Sequence, residues 1–229
     1  MGLFRLVIGM DEASPPARIT YGGYLRLEEL LTLQDGPEGY NPAPCNDELH
    51  FIIVHQTFEL WFKLILRELK EVRSLMDQDA IEETTIPSVV YHLERVSEIF
   101  RLLADQWKVM ETLSPQDFLA FRDRRGTSSG FESWQMREME VLMGLDNEQR
   151  LGGMDPLAHM QRLADDGKVP VTALRDLEAT SSGPSLNDVL NRWLSRTPIH
   201  GSSPDHPGDE TVVQNYIKEH LEAMRAHGE

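Results

Sequence analysis

Within the run FIIVHQTFELWFKLIL, residues 51–66, a histidine and a glutamine interrupt an otherwise apolar stretch. Phe51, His55, Phe58 and Phe62 recur at i, i+4, i+7 and i+11, which is one face of a helix. An imidazole on that face can accept a hydrogen bond from a ligand, donate one, or move a proton. It can equally be a core histidine satisfied by the protein itself, and the residues alone leave both readings open. Glu59, one turn beyond, is spaced to orient the His55 ring or to pair with Lys63. Metal chelation has little support. His50 and His55 point about 140° apart on a helix, and HExxH, paired ExxH and CxxC patterns are all missing. His220 and His227 share a face of the final segment, with no acid at chelating spacing. Nucleophilic catalysis fares no better, since there is no GxSxG and Cys45 sits in a proline-rich loop.

The segments that must position these groups read as helices. YGGYLRLEELLTLQ (21–34) spaces Tyr24, Leu25, Leu27, Leu30 and Leu31 helically, and DGPEGYNPAP (35–44) is a loop. Asn46 or Asp47 is expected to cap a long helix ending near Met76. A second long helix is expected from about Ser88 to Thr112, with Val89, Leu93, Val96, Ile99, Phe100 and Leu103 as its apolar stripe. SPQDFLAFRD opens with Ser114 and Pro115, a cap and first-turn pair. RRGTSSGFES (124–133) is a glycine- and serine-rich loop leading into WQMREMEVLMGL. SLNDVLNRWLSRTPI (185–199) reads as a short helix stopped by Pro198, and ETVVQNYIKEHLEAMRAHGE as a last one. No alternating strand of useful length and no internal repeat is present. The expected fold is an all-α helical bundle: an N-terminal arm over 1–20, then a single helical domain over 21–229. Phe51, Val54, His55, Phe58 and Phe62 are expected to be largely buried.

Composition excludes several classes of function. The 229 residues carry a formal charge of −16, which argues against nucleic acid and against an anionic membrane surface. A single cysteine cannot form an internal disulfide and fits a reducing, cytoplasmic setting. The opening MGLFRLVIG is shorter than a signal peptide or a membrane span, and Leu6 stands where a myristoylation motif needs Ser or Thr.

Four segments, YGGYLRLEELLTLQ, NDELHFIIVHQTFELWFKLILREL, ETLSPQDFLAFRD and SSGFESWQMREMEVLMG, resemble successive motifs of tryptophan 2,3-dioxygenases, in that family's order. RWLSRTPI resembles a fifth, weaker one. Together they span residues 21–199, and HQ followed by ELW in an apolar helix is the most specific. The resemblance implies an all-helical, homo-oligomeric (tetrameric or dimeric), b-type haem enzyme. Such an enzyme inserts both atoms of O2 across the indole C2–C3 bond of L-tryptophan, or a modified indole amino acid, to give N-formylkynurenine. It implies His55 as the catalytic distal histidine that accepts a hydrogen bond from the indole N–H, Phe51 as an aromatic wall, and Arg122 as the carboxylate-binding fork. Substrate contacts are further implied for Ile52, Ile53, Val54, Phe118, Tyr24 and Leu25, the last two from a helix that reaches an adjacent subunit. Haem contacts are implied for Phe51, His55, Trp107, Arg125, Ser129 and Gly130.

This chain departs from the family pattern at several places. Phe118 replaces a tyrosine, and Arg125 a small apolar residue. Asn46 and His50 replace a histidine and an apolar residue around Asp47 and Glu48. Glu132 and Met136 alter the usual SGFQ and QYR runs. The family's proximal haem histidine and its GTGG-type loop have no matching segment before Glu229, leaving His220 and His227 as candidate iron ligands. Two function classes therefore follow: a haem-dependent oxygenase, or a non-catalytic or split subunit that needs a second polypeptide for the haem ligand.

Overall fold

In the computed structural model, residues 19–36, 39–126, 128–203 and 206–227 are described; the N-terminal arm up to residue 18 lies outside them. Among the described residues every regular element is helical, apart from one isolated bridge between Ile199 and Ser202. The all-α expectation therefore holds.

The organising element is α3, Asn46–Met76, which follows two short helices, α1 (Tyr21–Leu25) and α2 (Leu27–Leu30). No glycine or proline falls within α3, so nothing in its backbone chemistry stops it. Its N-cap is Cys45 rather than Asn46 or Asp47: the Sγ accepts from the Glu48 N–H at 3.5 Å. Asp47 and Glu48 instead occupy the first turn, where their charges oppose the positive end of the helix dipole. By length and apolarity α3 would qualify as a membrane span. Here Ile65, Leu66, Leu69, Val72 and Met76 are buried against neighbouring helices.

The principal neighbour is α4, Ile86–Met110, with Pro87 in its first turn, where a missing N–H costs nothing. Val89, Val96, Ile99 and Leu103 form its buried stripe, as the spacing predicts, whereas Phe100 is partly exposed beside a cavity. The chain then forms α5 (Pro115–Phe121), α6 (Trp134–Met143), α7 (Pro156–Asp165), α8 (Val171–Ser181), α9 (Leu186–Arg196) and α10 (Asp209–His227). Met139 and Leu142 of α6, with Leu186 and Val189 of α9, complete the core around α3. A second cluster joins Met160 and Leu163 of α7 to Leu174 and Leu177 of α8 and takes in Val141 from α6. α6 thus serves both cores. Gly144 ends α6 at φ 83°, and a Cβ there would meet the Ser185 side chain at 2.5–2.8 Å, so both torsion and space demand glycine.

Three further expectations are corrected. Segment 21–34 is broken, because Arg26 adopts φ 52° and ψ 43° between α1 and α2. Helices α7 and α8 occupy a region given no element from sequence. Of the five residues expected to be largely buried, Val54 is, at 4% exposure; Phe51, His55, Phe58 and Phe62 are half-buried because they line cavities.

A buried carboxylate ties α3 to α4. Buried Glu68 accepts from His92 at 2.5 Å and from Arg95 at 2.6 Å. Burial raises its pKa, but the two hydrogen bonds and the nearby charges outweigh that and hold it below the ordinary 4.5. A depressed carboxylate pKa gives stability that is complete above the unfolded value and lost as pH falls through the folded one. The stability difference between wild type and Glu68→Gln should therefore be largest near neutrality and shrink below pH 4.5. Urea unfolding measured across pH reads it, and a difference that stays constant to strongly acid pH would rule this account out.

Candidate functional site

One face of α3 forms the wall of a cavity of about 510 Å³. Phe51, Ile52, His55, Gln56 and Glu59 line it, because at about 100° per residue these positions fall within one arc. Phe51 and His55 pack ring to ring at 4.0 Å, and the His55 Nδ1 lies 2.8 Å from the Phe51 carbonyl oxygen. A carbonyl oxygen only accepts, so Nδ1 carries the proton; in the neutral ring Nε2 is then left as an acceptor. Opposite α3, Ser114 caps α5 by accepting from the Asp117 N–H, and this delivers Phe118 and Phe121 to Phe51 at centroid distances of 5.8 and 5.7 Å. These separations suit tilted aromatic pairs.

A 3-10 turn over Arg122–Arg125 follows α5. Arg124 lines the cavity and is anchored by Glu48 at 2.8 Å and by the Pro42 carbonyl at 3.1 Å. Arg125 lines it too, with its guanidinium carbon 5.7 Å from the centre of the Phe118 ring. Ser129 and Gly130 complete the wall in a turn where the Ser129 hydroxyl accepts from the Phe131 N–H. Glu59 accepts from the Gln135 amide at 2.8 Å, which fixes it against α6 rather than leaving it to Lys63 or to His55.

A second cavity of about 420 Å³ adjoins the first and shares His55, Glu59, Gly130 and Ser133 with it. Its lining is apolar and polarizable: Phe58, Phe62, Phe100, Trp107, Met110 and Met136. Phe58 and Trp107 pack at 5.2 Å. His55 therefore stands between two apolar chambers.

The structure brings together Phe51, Ile52, His55, Arg125, Ser129 and Gly130 on the first cavity, Trp107 on the second, and Phe118 in contact behind Phe51. It does not bring Ile53, Val54, Arg122, Tyr24 or Leu25 to either lining. Ile53 lies on the opposite side of α3 and is exposed, while Val54 points into the core and its carbonyl accepts from Gln106. Arg122 is exposed at the start of the arginine turn. Tyr24 is 77% exposed on a helix with no buried residue. His220 is exposed on α10, stacks on Tyr216 and lines neither cavity, and the His227 side chain is outside the described residues. No group of three metal-ligating side chains occurs among the described residues. Sequence reasoning missed Gln56, Phe121, Arg124 and Glu48 as lining residues. Gln56 carried a signal, being a polar residue next to His55 on the same face.

An all-helical bundle with an aromatic-walled cavity, an arginine turn and an imidazole shared with a second apolar chamber has the chemistry of a pocket for flat, amphipathic aromatic ligands. The chain belongs to the tryptophan 2,3-dioxygenase family, whose model matches residues 9–227. It is similar to the tryptophan 2,3-dioxygenase of Sorangium cellulosum, 41% identical over 96% of this chain and 53% of the relative. It is also similar to tryptophan 2,3-dioxygenase 2 of Ralstonia nicotianae, at 37% over 92% of this chain and 56% of that protein, and to the Aedes aegypti enzyme, at 37% over 83% and 47%. The chain spans about half the length of the curated relatives it matches.

Proposed function

We propose that this chain carries the substrate pocket of a haem-dependent dioxygenase that inserts O2 across the indole C2–C3 bond of L-tryptophan, or of a modified indole amino acid, giving N-formylkynurenine. The observation that carries the reading is the 2.8 Å contact of the His55 Nδ1 with the Phe51 carbonyl oxygen. With Nδ1–H committed there, the neutral ring of this cavity-lining histidine keeps Nε2 as an acceptor, the partner an indole N–H requires. Phe51, backed by Phe118 and Phe121, offers the flat surface on which an indole packs. The carboxylate end falls at the arginine turn, with Arg122 assigned by resemblance. Charge and apolar wall together fix the orientation of a bound amino acid.

The family is generally haem-dependent, and the second cavity suits an apolar macrocycle, with aromatic and methionine side chains on its walls and few polar groups. Phe58, Trp107, Met110 and Met136 would hold its faces, with His55, Ser129, Gly130 and Arg125 on the substrate side. When bound, the haem iron supplies the site at which O2 is taken up. Apart from His55 no histidine among the described residues lines either cavity, so an imidazole to hold the iron would have to be supplied from outside these linings. That observation favours one second reading: a split or non-catalytic subunit that requires another polypeptide. We further propose a cytoplasmic protein that forms a homo-oligomer, the latter supported by Tyr21, Tyr24, Leu25 and Leu31, which are exposed among the described residues.

Haem added to the folded chain, followed by gel filtration and an absorbance scan, tests this. A retained Soret band that shifts on adding L-tryptophan, with N-formylkynurenine formed under reducing conditions and O2, is the expected result. A folded chain that takes up neither haem nor L-tryptophan, alone or with a partner polypeptide, would overturn it.

A further inference from the structure

Resting on that reading, we infer that His159 and Lys168 are positioning residues, which from the α7–α8 side hold the turn Ser129–Glu132 in place as a common wall of the two cavities. Ser129 and Gly130 line the first cavity, and Gly130 lines the second as well. The 3-10 segment Gly130–Glu132 has no buried residue, and a single turn of this kind is too short to hold itself in place. A capping box fixes its shape: the Ser129 hydroxyl accepts from the Phe131 N–H, and the Glu132 carboxylate accepts from the Ser129 N–H, both at 3.3 Å. Its position needs contacts from outside. Among the described residues, two polar contacts reach the turn from elsewhere in the fold. The His159 Nε2 lies 3.1 Å from the Phe131 carbonyl oxygen, and because a carbonyl only accepts, Nε2 carries the proton. The Lys168 Nζ stands 3.6 Å from the Glu132 carboxylate.

Both groups are mounted on fixed backbone. His159 adjoins Met160, which is fully buried in the second cluster. The Lys168 N–H donates to the Leu163 carbonyl at 2.8 Å, and the next residue, Val169, is buried in the same cluster. That cluster places none of its own side chains on either cavity, so this turn is where it bears on them. Glu132 is also where the chain departs from the SGFQ run. A glutamine would close the same capping box, but only a carboxylate offers Lys168 an opposite charge. A wall that swings away lowers apparent affinity by the fraction of time it is out of place.

The test measures affinity for haem and, in the haem-loaded protein, for L-tryptophan, alongside hydrogen exchange of the Ser129 and Phe131 amides and the melting temperature. His159→Ala is expected to speed exchange at the turn and weaken both ligands about 2- to 10-fold, the scale of one neutral hydrogen bond, at an unchanged melting temperature. His159→Gln, which keeps an N–H donor, is expected to recover the affinity. Glu132→Gln keeps the capping box and removes the charge; it and Lys168→Met should each cost about 1.5- to 5-fold, with no further loss when combined. Faster exchange at the turn with unchanged affinity overturns the inference, and so does no change in any variant. A loss of affinity that follows the melting temperature and is not recovered by His159→Gln shows a merely structural role and overturns it too. In these three cases wild type still binds and the proposed function stands. Wild type that binds neither haem nor L-tryptophan overturns both.

Discussion

His55→Ala is expected to lower turnover of L-tryptophan about 100-fold, the scale at which loss of substrate positioning is felt. Its effect on affinity is smaller, about 0.5–1.5 kcal/mol for a single neutral hydrogen bond. The separation follows from what the ring does. Nε2 accepts one N–H, while Phe51, Phe118 and Phe121 supply the contact area and remain in place. Removing the ring also opens the partition between the two cavities, since His55 lines both, so a bound indole gains alternative poses. His55→Gln retains an acceptor and should recover part of the lost rate. Steady-state formation of N-formylkynurenine measures turnover, and intrinsic fluorescence or calorimetry measures binding. Equal turnover in wild type and His55→Ala would reduce His55 to a packing residue satisfied by the Phe51 carbonyl.

Leu142→Ala carries the largest expected cost in stability. Leu142 is fully buried on α6, in the cluster that joins α3, α4 and α9. Its neighbour Val141 reaches the second cluster. A cavity at this position loosens the helix that links both cores. Leucine truncation in a packed interior costs about 2–5 kcal/mol. For a chain of this size, about 3 kcal/mol corresponds to a fall in Tm of roughly 6–12 °C. Because Gln135, Met136 and Met139 of α6 also bear on the cavities, ligand affinity should fall along with Tm. Calorimetric melting of the two proteins checks it, and a Tm within 2 °C of wild type, taken as roughly one such kcal/mol, would mean that the core repacks without loss.

Long periodic segments were legible because burial repeats along them. In α4 the positions Val89, Val96, Ile99 and Leu103 all fall in the core, as their spacing implies. The cap pair Ser114–Pro115 was equally plain. Helix α7 was not read, although Asp155 and Pro156 are a good cap and first-turn pair and Met160 and Leu163 face one way; of its ten residues only Leu157, Met160 and Leu163 are large and apolar, so the stripe is short. The break at Arg26 has no local signature, since a positive φ in a non-glycine residue is not announced by composition.

For the site, sequence by itself determined the face of α3 that carries Phe51 and His55, and the resemblance supplied the chemistry for that face. Helix geometry fixes which residues share a side, so this much needs no partner. What covers the side is set by segments far away in the chain, and only the tertiary structure decided it. It assigned Ile52 to the cavity and Ile53 to solvent, made Glu59 a partner of Gln135, and put Arg124 and Arg125 on the wall with Arg122 outside. A four-residue turn has no repeating face from which to read direction; Arg124 is held inward by Glu48 of α3, far away in the chain, and Arg125 lies over Phe118 of the preceding helix.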